Sequence, residues 1–244
     1  MNHAPNGRNI NLNCGSLHLQ ELCQHVIELK ADLGVAFDGD ADRALFADSA
    51  GEIVDGDATL WAMAKYFNAR GELTDSCVVA TVMSNIGLER ALRSINLSLV
   101  RTSVGDKYVL EELVRRGGTV GGEQSGHIIF PRKSLAGDGM MTTLYLLQAM
   151  SEMRQSLRQL TEGFVRYPQV LLNVRVRDKQ NFADVPKIDD VKQRVEAALG
   201  DSGRLLLRYS GTEPLARVMI EGEDKFQIEN LANELATVIS AELA

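Results

Sequence analysis

Between about residues 59 and 164, short apolar runs fit for buried strands alternate with stretches of helical spacing. The runs are "CVVATVM" at 77–83, "LSLVRT" at 97–102 and "TVGGE" at 119–123. Helical patterns cover 60–68, 86–95, about 107–116 and about 140–160. Strands separated by helices of that length pair in parallel, because only a crossover helix can return the chain to the same sheet edge. An α/β layer is therefore expected here. After Phe164 the order changes. Strands at 169–176, 204–210 and 215–222 and helices at about 189–199 and 226–243 give a β-α-β-β-α order, that of a small α+β domain. Gly163 and Pro168 mark the boundary.

Upstream, residues 16–29 read as a helix with Ser16 as N-cap and Leu19, Leu22, Cys23, Val26 and Leu29 at helical spacing. Two strand candidates follow, "LGVAF" at 33–37 and "ALFAD" at 44–48. The loop joining them is "DGDADR", with Asp38, Asp40 and Asp42 at alternate positions and Arg43 directly behind. Three carboxylates so close repel one another, so either a cation sits among them or they stand in water as a solvated acidic turn. An EF-hand also opens D-x-D-x-D, but it needs glycine at loop position six and glutamate at twelve. Arg43 and Ser49 occupy those places. Mg²⁺ fits better, since it takes a few carboxylates and leaves positions open for a phosphate oxygen, which Arg43 could grip as well.

Two further loops carry chemistry. "GGEQSGHIIF" at 121–130 sets Glu123, Ser125 and His127 among three glycines. A carboxylate and a hydroxyl two residues apart suit a pair of sugar hydroxyls; a strand-to-turn transition with polar tips is the other reading, and His127 reads as structural. "RYSGTEPLAR" at 208–217 offers the hydroxyls of Ser210 and Thr212, the backbone of Gly211 and the guanidinium forks of Arg208 and Arg217. A plain hairpin turn would explain the glycine and proline but not the two arginines. "RTSVGDKYV" at 101–109 puts Gly105 and Asp106 ahead of a helix, as an anion site or an ordinary N-cap.

Composition excludes some classes. The 244 residues carry 26 basic and 33 acidic side chains, a net charge of −7, which argues against a general nucleic-acid binder. No apolar run is long enough for a membrane span, and the N-terminal residues lack the basic-then-apolar order of a secretion signal. Cys14, Cys23 and Cys77 are widely spaced and odd in number, as expected of free thiols in a reducing cytoplasm.

"FDGDADR", "GGEQSGHIIF" and "RYSGTEPLARVMIEG", in that order, resemble the loops of the α-D-phosphohexomutase superfamily. "PNGRNINLNCGS" near the start and Gln124 in the second loop resemble the phosphoglucosamine mutases within it. The resemblance implies mixed three-layer α/β domains followed by a small α+β C-terminal domain. It divides the chain into 1–57 (the back of a second domain, with the metal loop), 58–164 (a third domain, with the sugar loop) and 165–244 (a fourth, with the phosphate loop). It implies interconversion of glucosamine 6-phosphate and glucosamine 1-phosphate through a 1,6-bisphosphate, in amino-sugar nucleotide and peptidoglycan-precursor metabolism in the cytoplasm. Asp38, Asp40 and Asp42 then correspond to Mg²⁺ ligands, and Arg43 lies beside the transferred phosphoryl group. Glu123 and Ser125 hold sugar hydroxyls, and Arg208, Ser210, Gly211, Thr212 and Arg217 hold the phosphate that is not transferred.

Members of that superfamily carry a phosphorylated serine in a loop of T-A-S-H-N-P type. No such string occurs in the chain, and "NHAP" at 2–5 has no serine. The resemblance thus implies a chain beginning inside the second domain and inactive alone, with a missing N-terminal portion or a second copy as partner. A non-catalytic phosphosugar-binding remnant, or a mutase for glucose or mannose phosphates, are the alternatives.

Overall fold

The computed structural model describes residues 1, 4 and 6–244; Asn2, His3 and Pro5, from "NHAP" and the head of "PNGRNINLNCGS", lie outside the described residues. The chain forms two compact units, Met1–Val165 and Arg166–Ala244.

The first unit runs α1 (Gln20–Leu29), β1 (Leu33–Phe37), β2 (Ala44–Asp48), β3 (Ile53–Val54), α2 (Gly56–Ala69), β4 (Cys77–Thr81), α3 (Ile86–Ser94), β5 (Ser98–Thr102), α4 (Asp106–Arg116), β6 (Gly121–Gly122), β7 (Ile128–Ile129), α5 (Gly139–Met153) and α6 (Leu157–Thr161). β1, β2 and β3 form an antiparallel sheet in that order. The second sheet has the order β5-β4-β6-β7, with β4 parallel to β5 and β6 and only β7 antiparallel. The parallel layer expected from the strand–helix alternation is present.

Two helix expectations need correction. Ser16 does not cap α1: it is buried in a 3₁₀ turn at Gly15–Leu17, and the helix starts four residues later at Gln20. The chain turns through positive φ at Asn13 and Gly15, which breaks the helical run before it begins. The long helix at 140–160 is two helices. Arg154 sits in the left-handed region and ends α5, and a capping box of Ser156 and Gln159 starts α6. The two-residue strands β3 and β7 have no counterpart in the sequence reading, being too short to show period-two alternation.

The core of this unit gathers Phe46, Trp61, Tyr66, Phe67, Leu88 and Phe130 with their neighbours. Tyr145 packs on Phe130 at a ring-centroid distance of 4.3 Å. Trp61 also donates its indole N–H to the carbonyl of Glu162 at 2.9 Å, tying α2 to the end of the unit. Among the described residues no helix is long and apolar enough to cross a membrane.

The second unit runs β8 (Gln169–Arg175), α7 (Pro186–Leu199), β9 (Gly203–Tyr209), β10 (Leu215–Gly222) and α8 (Lys225–Leu243). Its antiparallel sheet, ordered β8-β10-β9, packs against α7 and α8 through Val195, Val218, Ile220, Ile228 and Leu235. Glu221 is fully buried and salt-bridged to Arg204 at 2.7 Å.

One buried acid stands apart. Asp57, in the first turn of α2, is fully buried and accepts the backbone N–H of Asn85 at 2.8 Å, so it also steadies the start of α3. Burial pushes its carboxyl up from 3.8 to about 7, with the charge of Asp55 adding to the rise and Asn85, Ser84 and Arg101 opposing it. A folded-state pKa above the unfolded value favours the protonated fold. Its stabilisation is complete below the ordinary carboxylate range and is lost as pH rises through about 7. Urea unfolding followed by the fluorescence of Trp61, the single tryptophan, should show stability declining across that window. Asp57→Asn should flatten the decline, and equal pH slopes in the two proteins would refute it.

Candidate functional site

The aspartate loop turns tightly, with Ala41 N–H donating to the Asp38 carbonyl at 3.1 Å and Ala41 itself at φ 59°. That turn swings alternate side chains to one side. One carboxylate oxygen from each of Asp38, Asp40 and Asp42 lies within 4.8 Å of the others. Asp38 and Asp42 are half-buried and Asp40 is exposed. Burial raises the Asp42 carboxyl, and the hydrogen bond and charge of Asp38 raise it further, against the pull of His127. Three oxygens this close, repelling one another on a rigid turn, match the donor set of a hard divalent cation. Arg43 sits at the rim, its backbone N–H on Asp38 Oδ1 at 3.1 Å and its Nε 3.8 Å from Asp38 Oδ2.

The second loop lies against the first. β6 and β7 form a hairpin whose turn carries Glu123 and Ser125. Gly126 N–H closes that turn onto the Glu123 carbonyl at 3.0 Å with φ +92°, and its carbonyl accepts from Ala44 N–H at 3.2 Å. A side chain at Gly126 would overlap the Ala44 carbonyl, so only glycine allows this approach. Arg43 and His127 pair as an isolated antiparallel bridge, and His127 Nδ1 meets Asp42 Oδ2 at 3.0 Å. Ser125 Oγ stands 3.5 Å from Glu123 Oε2, and Glu123 Oε1 accepts from Gly105 N–H at 3.2 Å. Gly139, at the start of α5, donates to the Ala41 carbonyl at 2.9 Å and supports the aspartate turn from behind.

A cleft of about 740 Å³ opens beside the aspartate loop, lined by Asn11, Cys14, Leu22 and Phe37 and reaching Asp38 and Gly39.

In the second unit, β9 and β10 set Arg208 directly opposite Arg217. Cross-strand partners of this kind project on the same face. Burial, and then the charge of Arg217, lowers the Arg208 pKa. Arg217 reaches Ser210 Oγ at 3.4 Å and Glu213 Oε2 at 3.1 Å, while its buried Nε has no hydrogen-bond partner among the described residues. Ser210 is buried, and Gly211 and Thr212 are exposed at the tip. Two forks forced together at a loop with exposed backbone can hold an anion.

The sequence reading missed several members of these clusters. Lys179 donates to the Ser210 carbonyl at 2.6 Å from a loop with no motif of its own. The fourth stretch, around Gly105 and Asp106, comes to Glu123 and His127. His127 joins the two loops of the first unit, which spacing alone could not reveal.

The family model described as "Phosphoglucomutase/phosphomannomutase, alpha/beta/alpha domain III" matches residues 55–167, and "Phosphoglucomutase/phosphomannomutase, C-terminal domain" matches residues 171–238. The chain belongs to the phosphoglucomutase/phosphomannomutase family. Within that family it is 53% identical over 239 residues to a phosphoglucosamine mutase of Solibacter usitatus, covering 98% of this chain and 54% of the relative. A phosphoglucosamine mutase of Rhodococcus jostii is 49% identical over 241 residues, covering 99% of this chain and 54% of the relative. The chain thus spans about half the length of the curated relatives it matches. The fold resembles that of Aspergillus fumigatus N-acetylphosphoglucosamine mutase, solved with GlcNAc-6P and magnesium. That likeness has a TM-score of 0.72 at 20% identity, covering 96% of this chain and 58% of that one.

Gly137 packs so closely under the His127 imidazole that a methyl group there would overlap the ring. Gly137→Ala should therefore push His127 off Asp42 and lower the stability of the first unit by about 1–3 kcal/mol. A urea midpoint by Trp61 fluorescence equal to that of the parent would show that the ring yields without cost.

Proposed function

We propose that this chain carries the metal, sugar and phosphate loops of a phosphoglucosamine mutase, which interconverts glucosamine 6-phosphate and glucosamine 1-phosphate through a 1,6-bisphosphate. The observation that carries this reading is the convergence of Asp38, Asp40 and Asp42 beside the Glu123 loop, in a chain about half identical to proteins of that name. The three aspartates would hold Mg²⁺. When bound, the ion would neutralise charge developing on a transferring phosphoryl group. Arg43, at the rim of the same loop, would steady that group with a charge-assisted fork. Glu123 would accept from sugar hydroxyls and Ser125 would add a donor. Arg208, Ser210, Gly211, Thr212 and Arg217 would grip the phosphate that stays in place, with Lys179 holding the loop's shape from behind. The setting would be cytoplasmic amino-sugar and peptidoglycan-precursor metabolism, where a soluble phosphosugar is at hand.

Mg²⁺ titrated calorimetrically into the full chain should bind, and Asp40→Ala should weaken that binding at least severalfold. Indistinguishable isotherms would remove the metal role from this loop.

None of the serines stands in a T-A-S-H-N-P-type loop, so no residue here offers the covalent phosphoryl carrier that the reaction requires. In a coupled assay with glucosamine 1,6-bisphosphate, the chain alone should read background. Adding the front half of the Solibacter usitatus relative should restore turnover of glucosamine phosphate. Turnover by the chain alone would overturn the carrier argument. Failure of the mixture would favour a phosphosugar-binding protein without catalysis, and preferential turnover of glucose or mannose phosphate would move the substrate.

A further inference from the structure

Ser210, at the end of β9, is bonded through its amide, its side chain and its carbonyl. Its N–H donates to the Leu215 carbonyl at 2.8 Å and closes the turn before β10. Its Oγ accepts from Glu213 N–H at 3.2 Å and from Arg217 at 3.4 Å. Its carbonyl accepts from the Lys179 ammonium at 2.6 Å. Lys179 comes from the segment that follows β8, and three further contacts hold that segment to the same hairpin. Val176 N–H donates to the Pro214 carbonyl at 3.0 Å, the Tyr209 hydroxyl donates to the Gln180 carbonyl at 2.6 Å, and Phe182 stacks on Tyr209 with ring centroids 4.3 Å apart.

The Ser210 carbonyl and the Gly211 N–H belong to one planar trans peptide, so they point in opposite directions. Lys179 stands at one end of that unit. The N–H at the other end has no partner among the described residues. Gly211 has no internal reason to be glycine: its φ is outside the left-handed region, and a Cβ there would meet nothing within 4 Å. Open space and an unused donor thus coincide on one exposed residue beside two arginines. An anion seated there would use both. A cation on a peptide oxygen draws electron density through the C–N resonance, and so strengthens the N–H at the far end as a donor.

We propose that Lys179 is a positioning residue of the phosphate loop, its charge polarising the Ser210–Gly211 peptide so that the Gly211 N–H becomes a strong donor to the held phosphate. The proposal rests on the phosphosugar reading above and adds the charge of Lys179 to a contact that shape alone would otherwise explain. Calorimetric titration of the full chain with glucosamine 6-phosphate tests it, together with the amide signal of Gly211 in proton–nitrogen correlation spectra. Because Lys179 is solvent-exposed, a loss of about three- to tenfold in affinity is expected for Lys179→Met. Lys179→Gln, which keeps a donor without the charge, should lose nearly as much, and Lys179→Arg should recover most of the affinity. In the free protein the Gly211 amide proton should move upfield in the Met and Gln variants and return toward the parent position in the Arg variant. Parent affinity in K179Q would mean that the contact serves shape alone, and it would overturn the proposal. So would a Gly211 amide that does not follow the charge, or no recovery in K179R. Should K179M not fold, the Gln and Arg variants decide by the same outcomes. If the parent binds glucosamine 6-phosphate and the variants bind it equally well, the phosphosugar reading stands and this one falls; if the parent does not bind it, both fall.

Discussion

The geometry of the first unit hangs on one contact between two loops, the pairing of Arg43 with His127 and the hydrogen bond from the His127 imidazole to Asp42. The aspartate turn belongs to the β1–β2 hairpin and the Glu123 loop to the β6–β7 hairpin, and each hairpin lies in a different sheet. Without that bridge the two would be neighbours with no fixed register. With it, the Asp42 carboxylate and the His127 ring share one hydrogen bond. Gly126 and Gly137 are the spatial conditions for this, since a methyl group at either would displace the Ala44 carbonyl or the imidazole.

Both units hold like charges close together. Three carboxylate oxygens crowd one turn in the first, and two guanidinium groups face each other across β9 and β10 in the second. Each arrangement is unfavourable by itself, and in the second unit the Glu213 carboxylate answers Arg217 at 3.1 Å. The cost is local and borne by hairpins whose strands are fixed by large apolar cores. Strain of this kind is tolerated where the surrounding fold over-determines the backbone.

What the sequence disclosed follows from what is local. The strands at 33–37 and 44–48, the parallel layer of β4, β5 and β6 and the β-α-β-β-α order of the second unit rest on periodicity, and the structure shows them. The convergence of Asp38, Asp40 and Asp42 was legible because their spacing and the turn act within five residues. The Arg208–Arg217 pair was legible as two charges flanking a turn, but their direct opposition comes from strand register. His127, Asp106 and Lys179 were read as structural, ambiguous or not at all. Their partners are far away in the chain, and no local pattern encodes a meeting of residue 42 with residue 127. The helix break at Arg154 was missed although Ser156 and Gln159 spell a capping box, because the apolar period runs on through the break and hides it.

The Arg43–His127 bridge has a dynamic corollary. Backbone segments joined by direct hydrogen bonds open to solvent as one cooperative unit. Ala44 is bonded to Gly126, Glu123 to His127 and Gly139 to Ala41, so the amides of both loops and of the first turn of α5 are fastened to one another. They should lose protection against hydrogen exchange together and regain it together. Whatever quiets one of these loops also slows the breathing of the other, whereas the turn from Gly211 to Pro214 opens on the timetable of its own hairpin.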